Sequence, residues 1–314
     1  MKTLEKWINN KLRAHRVAQA RSRENYSSED ADLTKDQVYR EEIFEDTLEH
    51  LQDFSLDEVS EMLLEERIAK RFLGIIGQGK EANVYWIRDF SNKPQAVKMF
   101  RIHTTSHNFH QYHARSKMSD TAKLTIATQL AVTEFKYLQI LYTSGIRVPK
   151  PLYQKEFLFG MEFLGSKRGA SPLLRNVNFS DYGLDAVDVL DELLDQVDLM
   201  FNRAMIVHGD FSEHNIIIHD NRPYIIDFLQ SKQYHPEYST AEKIRKREAL
   251  VILRKDIESL MTYFKRNHRV YYDTNIVYTE IAGNVNDWSP DDLMPEYFDP
   301  EAFEQLEKQK RYRV

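Results

Sequence analysis

Apolar residues recur along this chain with two different spacings, and the change between them falls near residue 71. Before that point they follow helical spacing, and after it short apolar runs typical of strands begin. Two capping boxes, in which a hydroxyl accepts from an amide three residues on and a Glu or Gln reaches back, predict helices near 35–53 and 56–70: Thr34-x-x-Gln37 and Ser55-x-x-Glu58. No strand is predicted before residue 71.

Beyond residue 71, strands come first and helices later. One helix is predicted over 121–141, and an extended connector follows at 148–152, because each proline there disfavours helix in its predecessor. Two further periodic segments predict helices over 181–204 and 240–266. The last of these has five apolar positions on its predicted inner face: Leu250, Leu253, Ile257, Leu260 and Phe264.

Composition fits a soluble globular protein. The 314 residues suffice for two domains of roughly 150 residues each. Hydrophobic residues make up 42%, enough for a core, and no run approaches the roughly 18 apolar residues of a membrane span. Cysteine is absent, which excludes disulfides, a thiol nucleophile and zinc-thiolate sites, and nothing indicates secretion. We therefore expect a cytoplasmic protein.

Charge is unevenly distributed, although the net charge is only −6. Residues 1–23 hold seven Lys or Arg against Glu5, and residues 24–66 hold sixteen acids against two basic residues. Residues 2–20 form a predicted basic amphipathic helix with two interpretations: an arm for RNA phosphates, or a helix docked on its acidic neighbour. A transit peptide is disfavoured because serine is sparse.

The candidate catalytic and metal-binding residues are concentrated in His208-Gly-Asp-Phe-Ser-Glu-His-Asn215, which is followed by an apolar run ending in Asp227. Phosphoryl transfer needs a carboxylate beside the attacking oxygen and ligands for the metal that neutralises the phosphates. We predict that Asp210 is the base or orienting residue and that Asn215 and Asp227 bind magnesium. The alternative is a turn whose Asp and Asn cap backbone groups. Motifs for nucleotide binding earlier in the chain decide between these two interpretations.

One such motif is a glycine-rich stretch between two predicted strands. Gly77 and Gly79 are followed by Lys80, with Ala82 in the position of a third small residue and Val84 opening the next strand. Small residues let backbone amides approach phosphates closely. An ordinary hairpin is the alternative.

The second upstream motif is a lysine inside an apolar strand. Lys98 needs a phosphate or carboxylate there, and Glu134 on the predicted helix is the proposed partner. The strand after the connector then runs into a predicted hinge, and in a nucleotide kinase Met161 would flank the adenine there while the backbones of Glu162 and Leu164 would bind it. An ordinary strand end is the alternative.

Residues 101–120 form a polar insert, interpreted as a loop that changes order on nucleotide binding. Four histidines there offer a metal site as a minor alternative: His103, His107, His110 and His113. Three serines are candidate phosphorylation sites: Ser106, Ser116 and Ser119.

Taken in order, these motifs resemble the protein-kinase-like fold over residues 71–268. No Ala-Pro-Glu segment follows Asp227, and Phe-Leu-Gln replaces Phe-Gly after it. Those departures are similar to the RIO family of atypical kinases, nearest its type-one branch. The segments that carry the resemblance are Gly79-Lys-Glu-Ala-Asn-Val-Tyr85, Arg147-Val-Pro-Lys-Pro151, His208 to Asn215, Ile226-Asp-Phe-Leu-Gln-Ser231 and Leu253-Arg-Lys-Asp-Ile257.

The resemblance implies an α+β, bilobal protein-kinase-like fold: a mainly β N-lobe and a mainly α C-lobe, lacking the activation segment and peptide-binding helices, with an N-terminal helical extension. The expected divisions are 1–33 as basic arm and linker, 34–70 as a helical extension packing on the N-lobe, 71–160 as N-lobe, 161–165 as hinge, 166–268 as C-lobe core and 269–314 as a C-terminal segment.

It also implies ATP and Mg²⁺, with Mn²⁺ as an alternative, serine autophosphorylation, ATPase activity, and a role on the small ribosomal subunit precursor and its rRNA. Ordinary kinases have a lysine two residues after the catalytic Asp, whereas this chain has Ser212 beside the nucleotide. Loss of a charge aimed at the transition state predicts slow transfer. From the family, Asp227 itself is a hypothetical phosphoryl acceptor.

Two rival functions stand beside this one. A small-molecule phosphotransferase of the aminoglycoside or choline kinase kind also uses His-Gly-Asp with a downstream Ile-Asp-Phe. A non-catalytic RNA-bound scaffold would use the basic arm and hold ATP only as a structural ligand.

Overall fold

The structure, a computed structural model, describes residues 54–102, 120–235 and 239–283. The predictions for the basic arm, the helix at 35–53, the insert histidines and serines, and residues 284–314 lie outside these ranges. The chain divides into two compact units: the described parts of 54–139 and 149–171 form the first, and the described parts of 140–148 and 172–283 form the second. None of the helices among the described residues is long and apolar enough to cross a membrane.

The first unit begins with helix α1 (Leu56–Glu65), which opens on the predicted capping box: the Ser55 N–H donates to Glu58 Oε2 at 3.0 Å and the Glu58 N–H to Ser55 Oγ at 3.3 Å. The predicted extension of this helix to residue 70 is wrong. Arg67 adopts a positive φ of 56°, which right-handed helix cannot accommodate, so the chain turns away there.

A five-stranded antiparallel sheet forms the body of the first unit, in the order β1-β2-β3-β5-β4. Its strands are β1 (Arg71–Gln78), β2 (Ala82–Arg88), β3 (Pro94–Phe100), β4 (Pro151–Lys155) and β5 (Leu158–Glu162). Helix α2 (Asp120–Thr143) lies between β3 and β4 in the chain, and the strands β6 (Gly165–Ser166) and β7 (Gly169–Ala170) form a short hairpin. The predicted helix at 121–141 and the extended connector before β4 are both confirmed.

The second unit is mainly helical. Its helices are α3 (Phe179–Tyr182), α4 (Ala186–Asp198), α5 (Thr240–His268) and α6 (Thr274–Ala282), with a 3-10 turn (Leu174–Asn176) and a π turn (Leu199–Arg203). Its short strands pair as β8 (Ile206–Val207) with β11 (Lys232–Gln233) and as β9 (Ile216–His219) with β10 (Arg222–Ile225). The five apolar residues predicted to face inward on α5 are all buried.

Two helical details differ from the sequence prediction. The helix predicted over 181–204 is broken, because Gly183 ends α3 in the left-handed region with φ 62° and Asp185 then caps a new helix, accepting the N–H groups of Val187 and Asp188. Helix α6 was not predicted. Its start is fixed by Asp273, whose carboxylate accepts the Asn275 N–H at 2.8 Å.

Candidate active site

In the first unit, Lys98 and Glu134 form a buried ion pair, and the predicted pairing is confirmed. Lys98 Nζ lies 2.6 Å from Glu134 Oε1, and the two residues are 8% and 2% exposed. Lys98 stands opposite Val84 on β2 and Phe159 on β5, so its side chain shares a sheet face with theirs. An unpaired ammonium would be costly among these neighbours, and Glu134 on α2 supplies the compensating charge.

The glycine-rich stretch joins β1 to β2 by a tight turn. The Gly79 N–H donates to Ala82 O at 2.9 Å, and a Cβ on Gly79 would lie 3.0 Å from that oxygen, so the turn favours glycine. Gly77 stands opposite Val84, and Lys80 lies within the turn. The stretch is therefore a hairpin in form, as both sequence interpretations require, and its contact with phosphates stays a prediction.

Arg101, which sequence analysis assigned only to the start of the insert, is attached to this turn. Its Nε donates to Gly79 O at 3.0 Å and its Nη2 to Asn83 Oδ1 at 2.8 Å, while its backbone N–H donates to Glu81 O at 2.8 Å. The one available signal in the sequence was a cation directly after the buried end of β3.

The residues predicted to meet adenine lie where β5 ends. Met161 and Glu162 are its last two residues, and the Glu162 N–H donates to Lys150 O at 2.8 Å. Phe163 follows and stacks on Trp86 of β2, with ring centroids 4.7 Å apart and planes 6° from parallel. Leu164 is buried, and its carbonyl accepts the Ser171 N–H at 2.9 Å. The adenine-binding role of this segment stays a prediction.

In the second unit, Asn215 holds Asp210. The Asn215 Nδ2 group donates to Asp210 O at 2.8 Å and to Asp210 Oδ2 at 3.0 Å. Both residues lie on the loop between β8 and β9, and the loop is closed by a bond from the Asn215 N–H to Ser212 O at 2.9 Å. The carboxylate is therefore aimed by a neighbour rather than left to rotate.

Asp227 is brought to the same loop by the β9–β10 hairpin. The Ile226 N–H donates to Asn215 O at 3.0 Å, which fixes the residue directly before Asp227. Asp227 itself adopts a φ of 67°, in the left-handed region that residues other than glycine occupy uncommonly, although Asp and Asn do so more often than most. Such local strain persists only where surrounding contacts hold it, and it is typical of functional sites.

The frame of this loop is His208, which sequence analysis did not assign a role. Its Nε2 lies 3.1 Å from Ile226 O, and its Nδ1 accepts the Asp210 N–H at 3.2 Å. That pattern requires a neutral imidazole with its proton on Nε2. Burial lowers the pKa of His208 below its ordinary value, against the opposing charges of Asp256, Asp227 and Asp210.

A second residue that sequence analysis missed is Asp256 on α5. Its carboxylate is 5% exposed and accepts three backbone N–H groups of the loop, from His208 at 3.1 Å, Gly209 at 3.0 Å and Phe211 at 3.2 Å. Burial raises the pKa of the Asp256 carboxyl, while these three bonds oppose the rise. An acid on a long amphipathic helix carries no signal of such a role in the sequence.

The donors on this loop suit magnesium. Because the Asn215 amide nitrogen is committed to Asp210, its amide oxygen is the atom of that side chain suited to a hard cation. The carboxylate of Asp227 carries oxygens of the kind that magnesium prefers. In the described ranges, no cluster of three His, Asp or Glu side chains offers a complete metal cage. Magnesium is commonly held by one or two protein oxygens together with the phosphates of a nucleotide, so the residues present fit it.

Comparison with solved structures identifies the class of fold. The crystal structure of the Rio2 kinase from Chaetomium thermophilum matches with a TM-score of 0.54 at 19% identity, over 82% of this chain and 78% of that one. A second structure of that kinase, its ADP/Mg²⁺-phosphoaspartate complex, matches with a TM-score of 0.51, also at 19% identity, over 82% and 75%. The predicted α+β, protein-kinase-like fold is confirmed.

A sequence comparison then gives the family, since the profile of the RIO domain matches residues 83–276. This chain belongs to the RIO domain family. Serine/threonine-protein kinase RIO1 of Caenorhabditis elegans is 30% identical over 202 residues, covering 61% of this chain and 37% of that protein. The Homo sapiens RIO1 kinase is 27% identical over 226 residues, covering 68% and 37%. The RIO-type kinase Rio1 of Haloferax volcanii is 29% identical over 199 residues, covering 62% and 63%.

The names of these relatives agree with the predicted resemblance to the type-one branch. The chain spans little more than a third of the length of the two animal relatives, 37% in each case.

Proposed function

We propose that this protein is an ATP-dependent serine/threonine kinase and ATPase of the RIO type. The observation that carries the proposal is the Asp210 carboxylate, held at 3.0 Å by the amide of Asn215 on the same loop. A carboxylate oriented in this way accepts a proton from an attacking hydroxyl or water, while the amide oxygen of its holder is left for a metal ion.

The reaction transfers the terminal phosphoryl group of ATP to an oxygen nucleophile. The bond from the terminal phosphorus to the bridging oxygen breaks, ADP leaves, and the proton of the nucleophile passes to Asp210. Mg²⁺ bound by Asn215 and Asp227 would neutralise the phosphates, with Mn²⁺ as an alternative ion. Lys98, oriented by Glu134, would contact the phosphate oxygens.

The remaining nucleotide contacts are proposed along three segments. The turn at Gly77, Gly79, Lys80 and Ala82, followed by Val84, would cover the phosphates; Met161, Glu162 and Leu164 would hold the adenine; and Ser212 would lie beside the transferring group. The Rio2 kinase of Chaetomium thermophilum supports the proposal of a nucleotide and magnesium as ligands, since one of its structures is an ADP/Mg²⁺-phosphoaspartate complex. We extend it to Asp227 as a hypothetical phosphoryl acceptor, for which a hydroxylamine-sensitive label on Asp227 is the expected result.

In the cell, we propose that the protein acts in the cytoplasm as an assembly factor of the small ribosomal subunit, binding its precursor and rRNA and phosphorylating itself on serine. Family resemblance supports this role, together with the slow turnover expected from Ser212. Slow transfer suits a switch better than a signalling enzyme.

The test measures phosphate release from ATP and magnesium with and without small-subunit precursor particles. We expect stimulation by the particles in the wild type and its loss in Asp210→Ala. Asp188→Ala is the matched control, since this carboxylate is exposed on α4 of the same unit. If particles change nothing while a small hydroxylated metabolite or antibiotic is phosphorylated, the phosphotransferase rival replaces this proposal.

A further inference from the structure

Arg101 binds the turn between β1 and β2 at three points, and these contacts determine the direction of peptide groups in the turn. Two of them are made to carbonyl groups within the turn: Gly79 O receives the guanidinium at 3.0 Å, and Glu81 O receives the backbone N–H of Arg101 at 2.8 Å. Both carbonyls are thereby turned toward Arg101.

A trans peptide points its carbonyl and the following N–H in opposite directions, and no cis peptide occurs among the described residues. Holding Gly79 O and Glu81 O toward Arg101 therefore turns the N–H groups of Lys80 and Ala82 away from it. Amides that point the same way from a turn are the groups that bind phosphate oxygens. The guanidinium thus sets the direction of the Lys80 amide through Gly79 O, whereas the Ala82 amide is set by the backbone N–H of residue 101, which a substitution there keeps.

The guanidinium lies on the sheet face opposite Lys98. Asn83, which accepts its Nη2 at 2.8 Å, alternates on β2 with Val84, and Val84 stands opposite Lys98. Asn83 in turn donates to the Tyr85 hydroxyl at 3.1 Å, and Tyr85 is fully buried. Buried polar contacts therefore hold Arg101 on the face of the sheet opposite Lys98.

Its charge is also poorly compensated within the described residues. Arg101 is 6% exposed, its two side-chain acceptors are a neutral carbonyl and a neutral amide, and its Nη1 has no hydrogen-bond partner among the residues described. A buried cation without a carboxylate raises the positive potential of its surroundings, most strongly for multiply charged anions. Binding of a ligand is therefore favoured more as the number of its phosphate groups increases.

We propose that Arg101 is a positioning residue for the phosphates of the nucleotide: its guanidinium holds Gly79 O from the far face, orients the Lys80 amide and supplies a fixed positive charge behind the turn. This rests on the proposed function, because it assumes that the turn binds ATP. The proposal adds to the predicted phosphate site a residue outside the glycine-rich stretch. It predicts that the loss of affinity on substituting Arg101 grows with the number of phosphates in the ligand, which a purely structural arginine would not produce.

The experiment measures dissociation constants for Mg·ATP, Mg·ADP and adenosine by isothermal titration calorimetry. We compare the wild type with Arg101→Met, Arg101→Lys and the milder Arg101→Gln. Arg88→Met is the matched control, because Arg88 lies at the other end of β2 and donates to a turn carbonyl, Asn92 O at 2.9 Å. Thermal unfolding identifies any variant that fails to fold, and Arg101→Gln then stands in for Arg101→Met.

We expect Arg101→Met to weaken ATP binding by about tenfold, the scale of one charge-assisted hydrogen bond, and ADP by less. Adenosine should bind within about twofold of the wild type, Arg101→Lys should recover part of the loss, and Arg88→Met should change nothing. Equal weakening of all three ligands, or no weakening of ATP, would overturn the role of Arg101 while ATP binding by the wild type keeps the proposed function. Absence of ATP binding by the wild type would reject both.

Discussion

The carboxylate of Asp256 accepts the backbone N–H of His208 across 48 positions of sequence, with Oδ2 3.1 Å from the nitrogen. The same carboxylate accepts two further N–H groups, from Gly209 and Phe211. One buried acid on α5 therefore fixes the backbone on both sides of Asp210, and the direction of the Asp210 side chain follows from this backbone.

Replacing Asp256 by Asn should damage both stability and activity. The amide keeps the shape but presents an NH₂ group to backbone donors, so at least one of the three bonds is lost. We expect a loss in the free energy of unfolding of roughly 1.5–3 kcal/mol, the typical value for a hydrogen bond to a charged group. ATP turnover should fall more than ATP affinity, because Lys98 and the glycine-rich turn are unchanged. Chemical denaturation and steady-state kinetics measure the two effects.

Glu258→Gln is the control for this change, since Glu258 lies on the same helix and is exposed beside Arg254. An exposed pair of this kind contributes at most about 1 kcal/mol. Asp256→Asn behaving like Glu258→Gln would show that the loop does not depend on its buried acceptor.

Removing one partner of the Lys98–Glu134 pair should cost more than removing both. Lys98→Met leaves a carboxylate that is 2% exposed without its counter-charge, and breaking a buried pair in this way costs about 3–5 kcal/mol. The double variant Lys98→Met, Glu134→Leu should recover much of that stability. It should not recover ATP turnover, because the lysine is the group proposed to touch phosphate.

A double-mutant cycle by chemical denaturation gives the coupling energy of the pair. Lys155 and Glu66 form the comparison pair, at 2.8 Å with the lysine side chain 34% exposed, and there the coupling should be far smaller. Strictly additive effects at Lys98 and Glu134 would contradict the prediction.

How far the sequence could predict this site depends on whether a contact follows from local spacing. Asp210 and Asn215 lie five positions apart on one loop, and the spacing of the motif alone indicated that they act together. Lys98 and Glu134 are 36 positions apart, but a lysine inside an apolar strand requires a buried partner, which narrowed the choice.

Arg101 and Asp256 could not be found in this way, because both bind mainly backbone groups. A carbonyl or N–H is present at every residue, so neither the acceptor Gly79 nor the donor His208 carries any signal for its partner. The helix predicted over 181–204 began too early, because the apolar positions that predicted it all follow Gly183, whose left-handed conformation ends α3 before Asp185 caps a new helix.

Gly209 should not tolerate a side chain. Its φ is 84°, and a Cβ would lie 2.6 Å from Gln230 O, a backbone atom that cannot move aside cheaply. Gly209→Ala should lower the thermal midpoint by several degrees and abolish turnover, because the displaced residue adjoins Asp210. Gly169→Ala is a useful comparison: its φ of 141° gives similar backbone strain, but no atom lies within 4 Å of the added Cβ. Equal effects at the two glycines would mean that strain, not the contact with Gln230, is responsible.

The neutral state of His208 predicts a stability that falls in mild acid. Because burial lowers its pKa in the folded protein, the unfolded chain takes up a proton first, near pH 6.5. The contribution of His208 is therefore complete above about pH 6.5 and is lost as the pH falls toward the lowered folded-state pKa. The Asp256 carboxyl acts in the opposite direction, because its raised pKa favours the folded state at low pH.

The contribution of His208 is isolated by comparing variants. We expect the free energy of unfolding, measured by urea titration in EDTA between pH 5 and pH 8, to decline below about pH 6.5 in the wild type and to decline less in His208→Asn. Burial also lowers the pKa of His268, so His268→Asn measures that residue's share of the slope. A pH profile of His208→Asn parallel to that of the wild type would mean that His208 titrates normally in the folded protein, and the neutral tautomer inferred from its contacts with Ile226 and Asp210 would be wrong.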